Sequence, residues 1–170
     1  MTKLGRSGSL PEYTTQKNHL LHSSVVDGLA YSWSNATYNY TAADTILAVQ
    51  NDSTTQKLHI DQVWCHGDTT TRVIVHATTE DGFTMAGAAG VTGVNLNRSS
   101  SNAASATAFA HESGNSQGNI FWAGSIPADN ATPVAIGLGV ILDLSDVIAV
   151  DFTDDGGEAL VTIIGHYERA

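Results

Sequence analysis

The chain has little with which to brace or charge itself. Among its 170 residues there is a single cysteine, Cys65, so an intramolecular disulfide is excluded and the fold must stand on its core. Charged residues make up only 14%, and the 7 Lys and Arg are outnumbered by 17 Asp and Glu, for a formal net charge of −10. A phosphate backbone is gripped through clustered Lys and Arg, so the balance argues against nucleic acid as the main partner. No run approaches the roughly 18 apolar residues a membrane helix requires, which argues against a membrane. Met1 to Arg6 carries charge without a following apolar stretch of signal-peptide length, so the expectation is a protein made and folded in a cytoplasm. Also missing are a Gly-x-Ser-x-Gly elbow, a His-Glu-x-x-His pair and a phosphate-binding glycine loop. Ser, His and Asp are plentiful, but abundance is not a triad. The expectation is a binding or assembly protein that is not an enzyme.

What is present is apolar and small. Apolar residues reach 42%, so the surface must be covered largely by Ser, Thr, Asn and Gly. At this length the chain supports one domain with a real core. Residues 1–20 stand apart: Lys3, Arg6 and Lys17 face only Glu12, a net of +2 that leaves −12 for residues 21–170. They show neither helical nor strand period and cannot bury a stripe of their own. We read them as an extended N-terminal arm ordered by a partner, with Lys3, Arg6, Leu10, Tyr13 and Lys17 as the partner-binding residues.

From Leu21 onward about ten β-type runs alternate with Gly, Asn, Asp and Ser/Thr clusters. Strands are expected over Ser24 to Tyr31, Thr45 to Val49, Leu58 to Cys65 and Arg72 to His76. Within the third, strict alternation puts Leu58, Ile60, Gln62 and Trp64 on one face and His59, Asp61, Val63 and Cys65 on the other. His66-Gly67-Asp68-Thr69 reads as the turn of a hairpin to the next strand. Gly82, Gly87, Gly90 and Gly93 punctuate a run of small residues expected to form a long exposed loop. Ala104, Ala106, Ala108 and Ala110 alternate, so Ser99 to His111 is read as strand. Further strands are expected at Ile120 to Trp122, Val140 to Leu142, Ile148 to Phe152 and Leu160 to Ile164. The last is apolar on both faces, which suits a central strand or one covered by a neighbouring subunit. Regular strand spacing without a helical pattern indicates an all-β fold: a single antiparallel β-sandwich over 21–170, jelly-roll-like.

Three constellations invite chemistry. The acidic turn with Asp151, Asp154, Asp155 and Glu158 offers oxygens to calcium, but it lacks the alternating twelve-residue loop pattern, and Asp-Gly and Gly-Gly are ordinary turn chemistry. It is a weak candidate, and no metal or other cofactor is expected. His59, Cys65, His66 and His76 could hold zinc, but a hairpin centred near Thr69 brings them to no common point, so they are read as structural. Cys65 as a nucleophile would need a positioned base, and the adjacent His66 points to the opposite strand face. Trp33, Trp64 and Trp122, with Tyr31, Tyr38 and Tyr40, could form a glycan-stacking platform or an interface. The five Asn-x-Ser/Thr triplets at Asn35, Asn39, Asn51, Asn97 and Asn130 are read as chance in a Ser/Thr/Asn-rich chain.

In segment order the chain resembles the capsid decoration, or cement, proteins among the virion β-sandwich proteins of tailed bacteriophages. The resemblance is carried by Asp44-Thr45-Ile46-Leu47-Ala48-Val49-Gln50-Asn51, by Gly93-Val94-Asn95-Leu96-Asn97-Arg98, and by Asp146-Val147-Ile148-Ala149-Val150-Asp151 with Ile163-Ile164-Gly165-His166-Tyr167-Glu168. It implies a homo-oligomer, commonly a trimer, on the capsid exterior of the virion, bound to the major capsid protein. A phage tail or receptor-binding module, or a carbohydrate-binding module, is the alternative.

Overall fold

Short β-branched and aromatic runs bounded by Gly, Asn and Asp fold here, among the described residues, as twelve strands in two stacked antiparallel sheets. The computed structural model describes residues 21–36, 38–40, 44–79, 83, 89–112, 116–128, 133–154 and 157–168. Sheet A runs β10 (Val134–Leu142), β4 (Leu58–Gly67), β12 (Gly157–Tyr167), β1 (Ala30–Ser34) and β7 (Val94–Asn95), with β2 (Tyr38–Tyr40) continuing the line of β1 along β12. Sheet B runs β6 (Ala89–Gly90), β8 (Ala106–Glu112), β3 (Asp44–Asn51), β11 (Asp146–Phe152), β5 (Thr71–Thr79) and β9 (Asn119–Ile126). Without the additions β6, β7 and β8, the sheets reduce to β10-β4-β12-β1 and β3-β11-β5-β9. Eight strands in this order are a jelly roll, as expected. The core between the sheets holds Tyr31, Trp33, Ile46, Leu58, Ile60, Ile148, Phe152 and Ile163, all buried.

The hairpin expected around Thr69 does not exist. β4 pairs β10 and β12 in sheet A, while β5 pairs β11 and β9 in sheet B, so residues 68–70 carry the chain from one sheet to the other. The acidic turn makes the same kind of crossing between β11 and β12. The two crossings lie side by side and share their polar groups. Asp154 Oδ2 accepts the Arg72 N–H at 2.7 Å, and Asp68 Oδ1 accepts the Glu158 N–H at 2.7 Å.

Strict alternation fails in β4 because Asp61 is bulged. Gln62 faces Ile164 on β12 and Ile60 faces Gly165, which leaves Asp61 unpaired and shifts the face of everything after it. Leu58, Ile60, Val63 and Cys65 therefore point inward, and Trp64 and His66 point out, the reverse of the sequence expectation for Val63, Trp64 and Cys65. The strand expected from Ser24 to Tyr31 is also corrected. Residues 21–26 are helical, and β1 begins at Ala30. The helix ends in a Schellman motif: Leu29 N–H bonds Ser24 O, Gly28 N–H bonds Val25 O, and Gly28 takes the left-handed φ of 70°. Residues 99–105 precede β8 as irregular chain, so only the end of the expected Ser99–His111 strand forms.

The side-chain amides account for much of the irregular chain. Asn95 Nδ2 donates to Gly28 O, and Asn97 Nδ2 donates to Val26 O, each at 3.0 Å, satisfying carbonyls at the helix end. Asn35 donates to Ala159 O and accepts from Val161 N–H. Asn51, fully buried, donates to Leu142 O and Gln56 O and accepts from Ser53 N–H. Of these positions Asn35, Asn51 and Asn97, read as chance triplets from sequence, are structural fasteners.

Candidate functional site

The outer face of sheet A is a largely uncharged surface among the described residues. The Asp61 bulge turns Gln62, Trp64 and His66 outward, where register sets them beside Ile164, Thr162 and Leu160 of β12. The next strands add Ala135 opposite Trp64, Ser34 opposite Thr162, and Val94 opposite Ser32. Between Asp61 at one end and Glu158 at the other, none of the described outward-facing positions on these strands is Asp, Glu, Lys or Arg. Trp64, His66, Pro133, Leu160, Thr162 and Ile164 line a shallow hollow of about 220 Å³. Its largest ring is fixed in orientation, because Trp64 Nε1 donates to Gln62 Oε1 at 3.1 Å. Strands at ~4.8 Å spacing make the five-strand face roughly 20 Å across.

One end of this face is closed by two histidines. The rings of His59 and His166 stack at 5.0 Å between centroids, 18° from parallel. His59 Nε2 lies 2.6 Å from Glu168 Oε1, and His166 Nδ1 lies 2.7 Å from the bulged Asp61 Oδ2. Each imidazole thus has its own carboxylate, which orients the pair rather than opening it to a ligand.

A second polar cluster is buried on the far side of sheet B. His76 Nε2 sits 3.0 Å from Asp151 Oδ2, and Thr45 Oγ1 donates to Asp151 Oδ1 at 2.7 Å. This resembles a catalytic dyad in outline, but Gly118 N–H donates to His76 Nδ1 at 3.1 Å. With Nδ1 accepting, Nε2 carries the hydrogen and donates to Asp151, so neither ring nitrogen is left to take a proton from a substrate. Gln117 Nε2 adds a further donor to Asp151 Oδ2 at 3.3 Å. The cluster's effect is to pin residues 117 and 118 to the sheet.

The residues singled out from sequence fall in different places. Trp33 is wholly buried in the core and Trp122 is half-buried on edge strand β9, so with Trp64 they form no common platform; the first two are corrected as glycan-facing aromatics. Tyr31 and Tyr40 are core residues as well. Of the acidic turn, Asp151 belongs to the buried cluster, Asp154 caps Arg72, Glu158 is the second residue of β12, and Asp155 lies outside the described residues. His59, Cys65, His66 and His76 are distributed over two faces of sheet A and over sheet B. Among the described residues no three His, Cys, Asp or Glu side chains converge as a metal site. Lys3, Arg6, Leu10, Tyr13 and Lys17 lie outside the described residues. The surface that sequence reasoning did not assemble is the Trp64 face, hidden by the bulge that reverses the alternation.

Burial sets the titration of the core. It pushes the Cys65 thiol up to about 12, which removes the thiolate a nucleophile requires. Burial also raises Tyr31 and Tyr167 above the ordinary phenol range. On the surface, Lys57 is raised by its hydrogen bond to Asp143, whose carboxylate lies 3.0 Å away.

Neither a family model, nor a curated protein, nor a solved structure matches this chain significantly.

Proposed function

We propose that the chain is a non-enzymatic phage structural protein that decorates the capsid exterior, binding the major capsid protein lattice through the outer face of sheet A. The observation that carries this reading is the charge-free, Trp64-centred face on a molecule of net charge −10. A chain so acidic approaches another protein with least desolvation and least repulsion where it presents no charge. The arm over residues 1–20, with its net charge of +2, supplies a second contact in this reading. The resemblance of the segment order to that of cement proteins is the support for a virion location and a homotrimer.

The test uses heads assembled without this protein. Wild type should co-sediment with them, and free protein should sediment as a trimer. Trp64→Glu, which places a carboxylate in the centre of the face, should keep its thermal midpoint and lose occupancy by at least about tenfold. Leu160→Glu, at a position 39% exposed, should behave alike. Full occupancy by both variants, or no binding by wild type, would sink the reading. Glycan binding by wild type that Trp64→Glu abolishes would favour the receptor-binding alternative instead.

A further inference from the structure

We propose that the cleft at the open edge of the sandwich, between β9 and β10, binds a neutral saccharide. This goes beyond the docking reading and uses a different surface. The cleft encloses about 610 Å³, within the roughly 300–1,000 Å³ range of small-molecule sites. Its walls combine Phe121 and Ile141 with Thr78, Gln117, Asn119 and Asp146. Phe121 and Ile141 leave 49% and 50% of their surface open, so both offer apolar surface to a ligand in the cleft.

Phe121 is placed there by a backbone irregularity. On β9, Trp122 faces Val75 and Ile120 faces His76, so Phe121 is the one extra residue, unpaired and swung out of the ladder. β10 is irregular on its own side of the cleft, between Gly137 and Val140. Bulges on edge strands re-aim side chains and gather at binding sites. The third wall is held from behind, because Gly118 N–H is bonded to His76 and Gln117 to Asp151, both groups buried. A wall locked by a buried network is preorganised, so less ordering remains to be done when a ligand enters.

The lining selects the ligand class. An exposed aromatic ring stacks on the apolar C–H face of a pyranose, and amide, hydroxyl and carboxylate groups around it match hydroxyls that both donate and accept. Among the described residues no Lys or Arg lines the cleft, and Asp146 with the net charge of −10 repels anions. Phosphorylated, sulfated and uronic ligands are therefore disfavoured, and neutral hexoses remain.

The experiment is saturation-transfer NMR on the full chain with methyl α-mannoside, methyl β-glucoside, maltose and cellobiose at millimolar concentration. At least one sugar should show transfer. Phe121→Ala should weaken binding by about tenfold with the thermal midpoint retained, and Trp64→Ala should leave binding unchanged. Should Phe121→Ala fail to fold, Asn119→Ala at an exposed position carries the same expectation. No transfer from any of the four sugars, transfer that survives the folded cleft variants, or transfer abolished by Trp64→Ala would each overturn the proposal.

Discussion

Replacing Asn51 by Ala should cost more stability than any contact-free surface change, through backbone groups left without partners. Asn51 is fully buried at the end of β3. Its Nδ2 donates to Leu142 O at 3.0 Å and Gln56 O at 3.1 Å, while its Oδ1 accepts Ser53 N–H at 3.0 Å. The Ala variant removes all three bonds at once. Stranding a buried donor or acceptor costs about 1–3 kcal/mol, and here the Leu142 carbonyl and Ser53 amide are buried while the Gln56 carbonyl is partly so. The expected loss is about 3–5 kcal/mol, which at this chain length lowers the midpoint by about 6–20 °C. Asn51→Asp keeps the acceptor for Ser53 but turns a carboxylate toward two carbonyl oxygens. It should be at least as damaging at neutral pH and partly relieved in acid, where the protonated carboxyl regains a donor. Urea unfolding at unchanged m-value and calorimetry both read the effect. A loss below about 1 kcal/mol for Asn51→Ala would show that the three groups find other partners, and would refute the fastener argument.

Cys65 should resist thiol reagents until the protein unfolds, and Cys65→Ser should cost roughly 1–3 kcal/mol by burying a hydroxyl. Because its folded value lies above its ordinary value of 9.0, at about 12, the native state holds a proton that the unfolded state releases. Stability should therefore be intact below pH 9 and fall above it, by up to about 1.4 kcal/mol per pH unit. Unfolding curves between pH 9 and 10 should show a steeper slope in wild type than in Cys65→Ala, whose remaining slope comes from the raised Tyr31 and Tyr167. Gly28→Ala should lose about 1–2 kcal/mol from its left-handed backbone alone. A further loss comes from a Cβ placed 2.6 Å from that of Ser100, and adding Ser100→Gly should restore that part in urea titrations.

How far the sequence reached depended on whether a feature is decided locally. The strands β3, β5, β11 and β12 were legible because their apolar runs end at turn residues, and the doubly apolar Val161 to Ile164 did mark a central strand. Trp64 was assigned to the wrong face because a bulge is set by the register of β12, ninety or more residues away, and nothing in Leu58 to Trp64 announces it. The helix over 21–26 was missed because Val25 and Val26 favour strand locally. The decisive signal is Gly28, together with Asn95 and Asn97, which meet the helix end only in the folded chain. The candidate cleft was equally out of reach, since its walls come from four strands of both sheets.

The crossings between sheets bear on how the chain can be made. Among the described strands none pairs with its immediate successor in sequence: β3, β4 and β5 alternate between sheets, as do β9, β10, β11 and β12. A nascent chain therefore has no local hairpin with which to begin, and closing distant pairs first makes folding slow. The final strand, β12, lies between β4 and β1 and is the seam of sheet A. Until residues 157–167 are in place, β1 and β4 lack their common neighbour, and the edge of β4 that β12 pairs stays open. Folding of sheet A thus waits on β12, and a chain stopped before Gly157 exposes the unpaired edge of β4 to aggregation or to a chaperone.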